Sequence, residues 1–470
     1  MHGSGMMYSG DDYGYFAHAA ALVYGDFPSY KNEYSMFNPN NGKPFQFIGA
    51  GIMAAPFVYV FSWIDRIEHN PIVQQRRENN ILHSWSAYGF VISSVFYLWA
   101  GCFLLYQCLR RYFREPETIL AIVLMVLAQG IPLFAFRRPF FSHISEFFLV
   151  CVFVRWMLSM KKELDYRGAV GLGILTGLLA LVRLNDIAMA LIWPLILCRG
   201  KKLMLTYIVA GALLFVFYLI PHHGGNNSFY DSLINQKILN PSSFNFYLRR
   251  VWYILTGPDW GLIFTAPFIP IGLVLAIFLK YPLHKKVLIS LLPLLVNFYL
   301  IITWGSQAGW YSYRYFIPVA APLLVFPLAL GLSYAIERLG WKTVIIMCIV
   351  LSLCPVLSML AFEGNSKDFT LFQMVNAFGE SDWTNNTYQL NIWKALIHHP
   401  LSLAEAILKA GPLFLIYSLM KLFHLRPIAA FSKYSGFTPG DWIKVLGVYA
   451  WLGALMLISQ RRETLSKVED

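Results

Sequence analysis

Charge is scarce in this chain: only 13% of its 470 residues are Asp, Glu, Lys or Arg, against 57% hydrophobic and 17% aromatic. With a mean hydropathy of +0.53, that shortage excludes a soluble globular fold and leaves an integral membrane protein. Cysteine is scarce as well. The six present (Cys102, Cys108, Cys151, Cys198, Cys348, Cys354) fall in or beside apolar segments, with no CxxC pair and no His at metal-ligand spacing. This argues against a disulfide scaffold and against structural zinc. The opening residues MHGSGMMYSGDD have neither a basic n-region nor an apolar h-region, so they do not form a cleavable signal peptide. Internal repeats and low-complexity linkers are also missing, which removes support for an inverted-repeat transporter. The net charge of +12 is held in short basic loops between apolar runs. It reads as topology signal and lipid contact rather than a nucleic-acid footprint.

What the chain has in quantity is long apolar runs, at 81–109, 118–136, 140–160, 203–221, 260–279, 287–303, 315–336, 343–362, 403–423 and 442–459. A further run, 168–197, is too long for one span and is interrupted by Arg183-Leu184-Asn185-Asp186, so it is expected to form two short helices meeting at a polar turn. At roughly 20 residues per crossing, the chain is expected to be an all-α polytopic bundle of about 12 transmembrane helices. The basic loops Arg110/Arg111/Arg114, Lys161/Lys162/Arg167, Arg199/Lys201/Lys202, Lys280/Lys285/Lys286, Arg338/Lys342 and Lys421/Arg426/Lys433/Lys444 then share one side, the cytoplasm, provided that the segment before Ile81 is outside. That scheme requires 47–63 to be an interfacial or re-entrant helix rather than a span. Residues 1–80 become an extracytoplasmic loop with interfacial helices, 81–362 a core membrane domain with an external loop at 222–258, 363–402 a second external loop and 403–470 the C-terminal membrane helices.

Paired carboxylates Asp11 and Asp12 stand near the start, in YSGDDYGYFAHAAALVYGDF. At a membrane face they invite a chemical role, although they also suit the N-terminal cap of a helix over 13–24. The outer face collects them with Lys43, Arg137, Arg138, His143, Arg183, Asp186, Arg249, Arg250, Asp259, Tyr311 and Arg314. Carboxylates opposite cations describe a base working beside an anion pocket, and phosphate is the obvious anion for a membrane enzyme. Each residue also has a plainer reading. Lys43 can snorkel, and His143 can be a hydrogen-bonded core histidine beside Glu146. Arg183 interrupts an apolar run where an unpaired Arg costs about 2.5 to 3.5 kcal/mol, so Asp186 is its expected partner.

The order Asp11-Asp12, Gly25-Asp26-Phe27, Lys43-Pro44-Phe45 and then an apolar segment resembles the first external loop of the GT-C polyprenyl-phosphate-sugar glycosyltransferases. That group includes the protein O-mannosyltransferases and the lipid A aminoarabinose transferase. SHISEFF (142–148), GILTGLLALVRLND (173–186), TGPDWGLIFTAP (256–267) and WGSQAGWYSYRYFIPVAAP (304–322) are similar to segments of bacterial members in the same order, so that the likeness runs over about 9–330. Two features depart from the family: the second acid is Asp12 where Asp-Glu is the common pair, and the helix that should precede the pair is missing. The latter leads to the expectation of a truncated or processed N-terminus.

The resemblance implies a multi-pass protein of a bacterial inner membrane with its site facing outside. It implies transfer of a hexosyl or pentosyl group from a polyprenyl-phosphate donor to a lipid, glycan or protein hydroxyl, with inversion and without a cofactor. Asp11 would take the acceptor's proton and Asp12 would orient the acceptor. Lys43 and Arg314, then Arg183 and His143, would grip the donor phosphate. Tyr311 and Asp259 would line the cavity. No metal-ligand pattern stands out, so metal-independent transfer is expected. A lipid-linked saccharide flippase and a noncatalytic membrane scaffold remain as rival readings.

Overall fold

The computed structural model describes most of residues 10–363, apart from 31–43, 45, 69–83, 137–138, 160–163, several positions within 184–199, 223–243, 257–260, 280–283 and 304–315. The chain divides into two compact units, 1–356 and 357–470, and the described residues belong to the first except for the end of the last helix. The regular structure among them is helical throughout. The helices are α1 (Gly10–Tyr24), α2 (Gly49–Ile67), α3 (Trp85–Leu109), α4 (Glu115–Met125), α5 (Ile131–Phe136), α6 (His143–Ser159), α7 (Tyr166–Val182), α8 (Lys201–His222), α9 (Phe244–Thr256), α10 (Leu262–Thr265), α11 (Phe268–Phe278), α12 (His284–Thr303), α13 (Ile317–Leu339) and α14 (Trp341–Glu363).

Three of these, α2, α3 and α13, are long and apolar enough to cross a membrane, which marks a membrane protein. Exposed Trp99, Leu213, Phe278 and Ile346 fit that setting, since side chains facing hydrocarbon need no polar cover. Two of the expected single spans are broken. The run 118–136 stops at Met125, passes through a 3-10 turn at Leu127–Gln129 and restarts after Gly130, whose φ of 79° belongs to the left-handed region that glycine tolerates. The run 260–279 divides at Ala266-Pro267 into α10 and α11, because proline starts a helix readily but cannot donate within one. The runs at 403–423 and 442–459 lie outside the described residues.

The long helix α3 is the ruler against which depth can be read. Its N-terminus is capped twice: Ser84 Oγ accepts from the Ala87 amide at 3.1 Å, and the buried Asp65 carboxylate at the end of α2 accepts from the Trp85 and Ser86 amides at 2.9 Å each. A carboxylate there satisfies orphan amides and complements the helix dipole. From that junction α2 runs antiparallel to α3, with Gly89 against the Phe57 backbone and Tyr97 Oη donating to the Met53 carbonyl at 2.9 Å. Tyr97 is the midpoint of the 25-residue α3, and α2 has only Gly49 to Ile52 left beyond Met53. At 1.5 Å per residue, α2 ends about 12 Å short of the far end of α3. Its start meets the end of α7, for a side chain at Gly49 would strike the backbone of Leu181 and Val182.

Helix α6 instead runs parallel to α3. Ser94 Oγ donates to the Pro139 carbonyl at 2.5 Å, Phe147 packs on Gly101, and Arg155 meets Gln107. Helices α7 and α8 lie parallel, Gly173 facing Tyr207 and Ala210 and Gly177 facing Leu214. After α7 the Asp186 amide donates to the Arg183 carbonyl at 3.1 Å, and Trp193 stacks on Phe153 of α6.

Candidate active site

Asp11 and Asp12 lie inside α1 (Gly10–Tyr24) and belong to the helix itself, not to a segment ahead of it. From Phe16 to Ala21 α1 is buried on every side, so this helix is enclosed by protein rather than laid on a surface. It is fixed by its own polar contacts. His18 Nε2 donates to the Gln46 carbonyl at 2.8 Å, since a carbonyl can only accept, and this leaves Nδ1 to accept from Tyr30 Oη at 2.7 Å. Burial and the nearby Asp26 carboxylate push the Tyr30 phenol up, which keeps it a donor. At the other end Tyr24 Oη meets Ser86 Oγ at 2.7 Å.

Tyr15, one helical turn after the acidic pair, connects α1 to a buried group of charges. Ser142 Oγ donates to Tyr15 Oη at 3.2 Å and accepts from Arg183 Nε at 3.1 Å. Arg183 Nη1 lies 3.5 Å from Glu146 Oε2, and His143 Nδ1 lies 3.8 Å from the same oxygen. The carboxyl group of Asp186 faces that of Glu146 within hydrogen-bonding reach. The rings of Phe134 and Phe141 close over His143, with centroids 4.4 and 5.6 Å away. All four ionisable side chains are buried, Glu146 and Asp186 completely. Through Ser94, Pro139, Tyr97 and Phe148, this cluster sits level with the middle of α3.

Such an arrangement is poor as a purely structural device. Burying an ion costs several kcal/mol even after relaxation, and two carboxylates facing each other beside one guanidinium recover less of that cost than a simple pair would. A charge cluster held at that depth is a functional-site hypothesis.

Of the residues singled out from the sequence, His143 and Arg183 come together here, and Asp11 and Asp12 are joined to them through the helix that carries Tyr15. Arg137, Arg138, Lys43, Asp259, Tyr311 and Arg314 lie outside the described residues. Arg183 pairs with Glu146 on α6 at 3.5 Å, and Asp186, its expected partner from the sequence, lies close enough to both for their charges to act on it. Tyr15 and Ser142 were not legible as site residues, since a hydroxyl next to an apolar helix has no motif. No family model, curated protein or solved structure matches the chain.

Proposed function

We propose that this protein is a membrane glycosyltransferase that moves a sugar from a polyprenyl-phosphate donor to an extracytoplasmic hydroxyl acceptor with inversion. The observation that carries this reading is the bonded path from the acid-bearing helix α1 through Tyr15 and Ser142 to the buried guanidinium of Arg183. It brings a source of carboxylates and a cation into one assembly, as the chemistry requires. In this reading Asp11 accepts the acceptor's proton as its oxygen attacks the anomeric carbon, and Asp12 orients the acceptor. The bond to the lipid phosphate breaks on the opposite side, and the charge growing on the phosphate is met by fixed cations. Arg183 and His143 serve there with Lys43 and Arg314, while Tyr311 and Asp259 line the cavity.

A flippase for lipid-linked saccharide is the second reading. It is favoured by the same buried charges at mid-depth, which also suit a translocation path. Reconstitution with a labelled polyprenyl-phosphate sugar and a mixture of hydroxyl acceptors separates the two. Release of free polyprenyl phosphate is the expected outcome. Movement of intact donor between leaflets without release would replace the transferase by the flippase.

A further inference from the structure

Arg183 is held both by a charged group and by a neutral one. Glu146 attracts Nη1, whereas Nε is held by Ser142, a neutral hydroxyl that spends its own proton on Tyr15. A hydroxyl that accepts from one group and donates to another fixes both in a single geometry. The two groups it fixes here belong to different parts of the fold, the C-terminal end of α7 and helix α1. Ser142 itself is held on several sides: it is 1% exposed, Pro139 three residues before it is tied to Ser94, and the backbone carbonyl of Ser142 accepts from the Glu146 amide at 3.0 Å.

We propose that Tyr15 and Ser142 are positioning residues that set the distance between the acidic pair of α1 and the guanidinium of Arg183. This rests on the transferase reading for its catalytic meaning, although the coupling itself does not. Tyr15 is separated from Asp11 and Asp12 by one turn of a rigid helix, so a shift of the phenol is carried to the carboxylates. Neither residue touches the reacting atoms in this scheme. Loss of either hydroxyl leaves binding groups intact but out of register, which lowers turnover more than affinity.

The test uses the full chain in lipid nanodiscs, with Tyr15→Phe, Ser142→Ala and Ser142→Thr, the last restoring the hydroxyl. Two readouts are taken: release of polyprenyl phosphate, and amide hydrogen exchange. Tyr15→Phe and Ser142→Ala are expected to lower kcat by roughly 10- to 100-fold with the donor KM little changed. Exchange should quicken over Gly10–Phe16 without change in α3 or α6, and Ser142→Thr should recover both signals in part. Normal kcat in both hydroxyl-deleted variants, or unchanged exchange at the start of α1, would overturn the proposal. If the wild-type protein releases no polyprenyl phosphate, the transferase reading fails, and the exchange measurement alone decides whether Tyr15 and Ser142 couple α1 to Arg183.

Discussion

Arg183 was conspicuous in the sequence because a guanidinium has no place in an apolar run unless something holds it there. Its partner Glu146 was not conspicuous, since that residue lies on another helix and nothing in the local spelling connects them. Removing the cation exposes the energetics of the cluster. Arg183→Ala should destabilise the protein by about 3 to 5 kcal/mol, the cost of leaving a buried charge without its partner. The cost should shrink when Glu146→Gln is added, because that variant removes one of the two opposed carboxylates. Denaturant unfolding of the single and double variants in detergent gives the coupling, and strict additivity would mean that Arg183 and Glu146 do not interact. The acidic pair calls for a different measurement. Asp11→Asn preserves shape but cannot take a proton, so turnover should fall by at least the roughly 10²- to 10⁴-fold of a lost general base while donor binding survives. Asp12→Asn should be milder. Full activity in both variants would remove the pair from the chemistry.

At the scale of elements, hydropathy located most helices well: α3 and α6 fall within the apolar runs that announce them, and α8, α12, α13 and α14 overrun theirs by at most three residues at either end. The breaks at Gly130 and at Ala266-Pro267 escaped because apolar composition continues through them, and only backbone geometry interrupts the helix. The depth of α2 was not legible for another reason. A largely apolar helix of 19 residues has the same sequence whether it crosses a bilayer or stops inside it, and only its pairing with α3 distinguishes the cases. That pairing depends on glycine. A methyl group at Gly89 would lie 2.7 Å from the Phe57 carbonyl oxygen, a backbone atom that cannot swing aside. Gly89→Ala should therefore separate α2 from α3 and destabilise the fold by about 1 to 3 kcal/mol, as overpacking does. Gly171 on α7 provides the contrast, since nothing lies within 4 Å of the corresponding position. Gly171→Ala should be neutral or stabilising by up to about 1 kcal/mol through helix propensity. Equal thermal melting of the two variants would deny that α2 and α3 pack through that glycine.

For the whole molecule, the decisive question is which ends of the helices share a side of the membrane. The alignment of basic loops put residues 1–80 outside and Arg110, Arg111 and Arg114 inside, on condition that 47–63 does not cross. The structure bears on that condition physically. Glu68 and Trp85 are joined at 3.0 Å at the head of α3, whereas Arg111 lies beyond its tail. If α2 runs from the Glu68 side and turns back near the level of Tyr97, the chain before it must return to the side from which it entered. Single cysteines at Asn40, Glu68 and Arg111, in a background without the six native ones, read this out with an impermeant thiol reagent in intact cells. We expect labelling at Asn40 and Glu68 together and none at Arg111 until the membrane is opened. A helix that crosses completely would instead place Asn40 with Arg111 and label Glu68 alone. In that case the acidic pair and the buried guanidinium would be served from the cytoplasmic side, where the donor's sugar would have to face for any transfer to occur. The extracytoplasmic assignment of the reaction would then fall, even if the transferase chemistry stood.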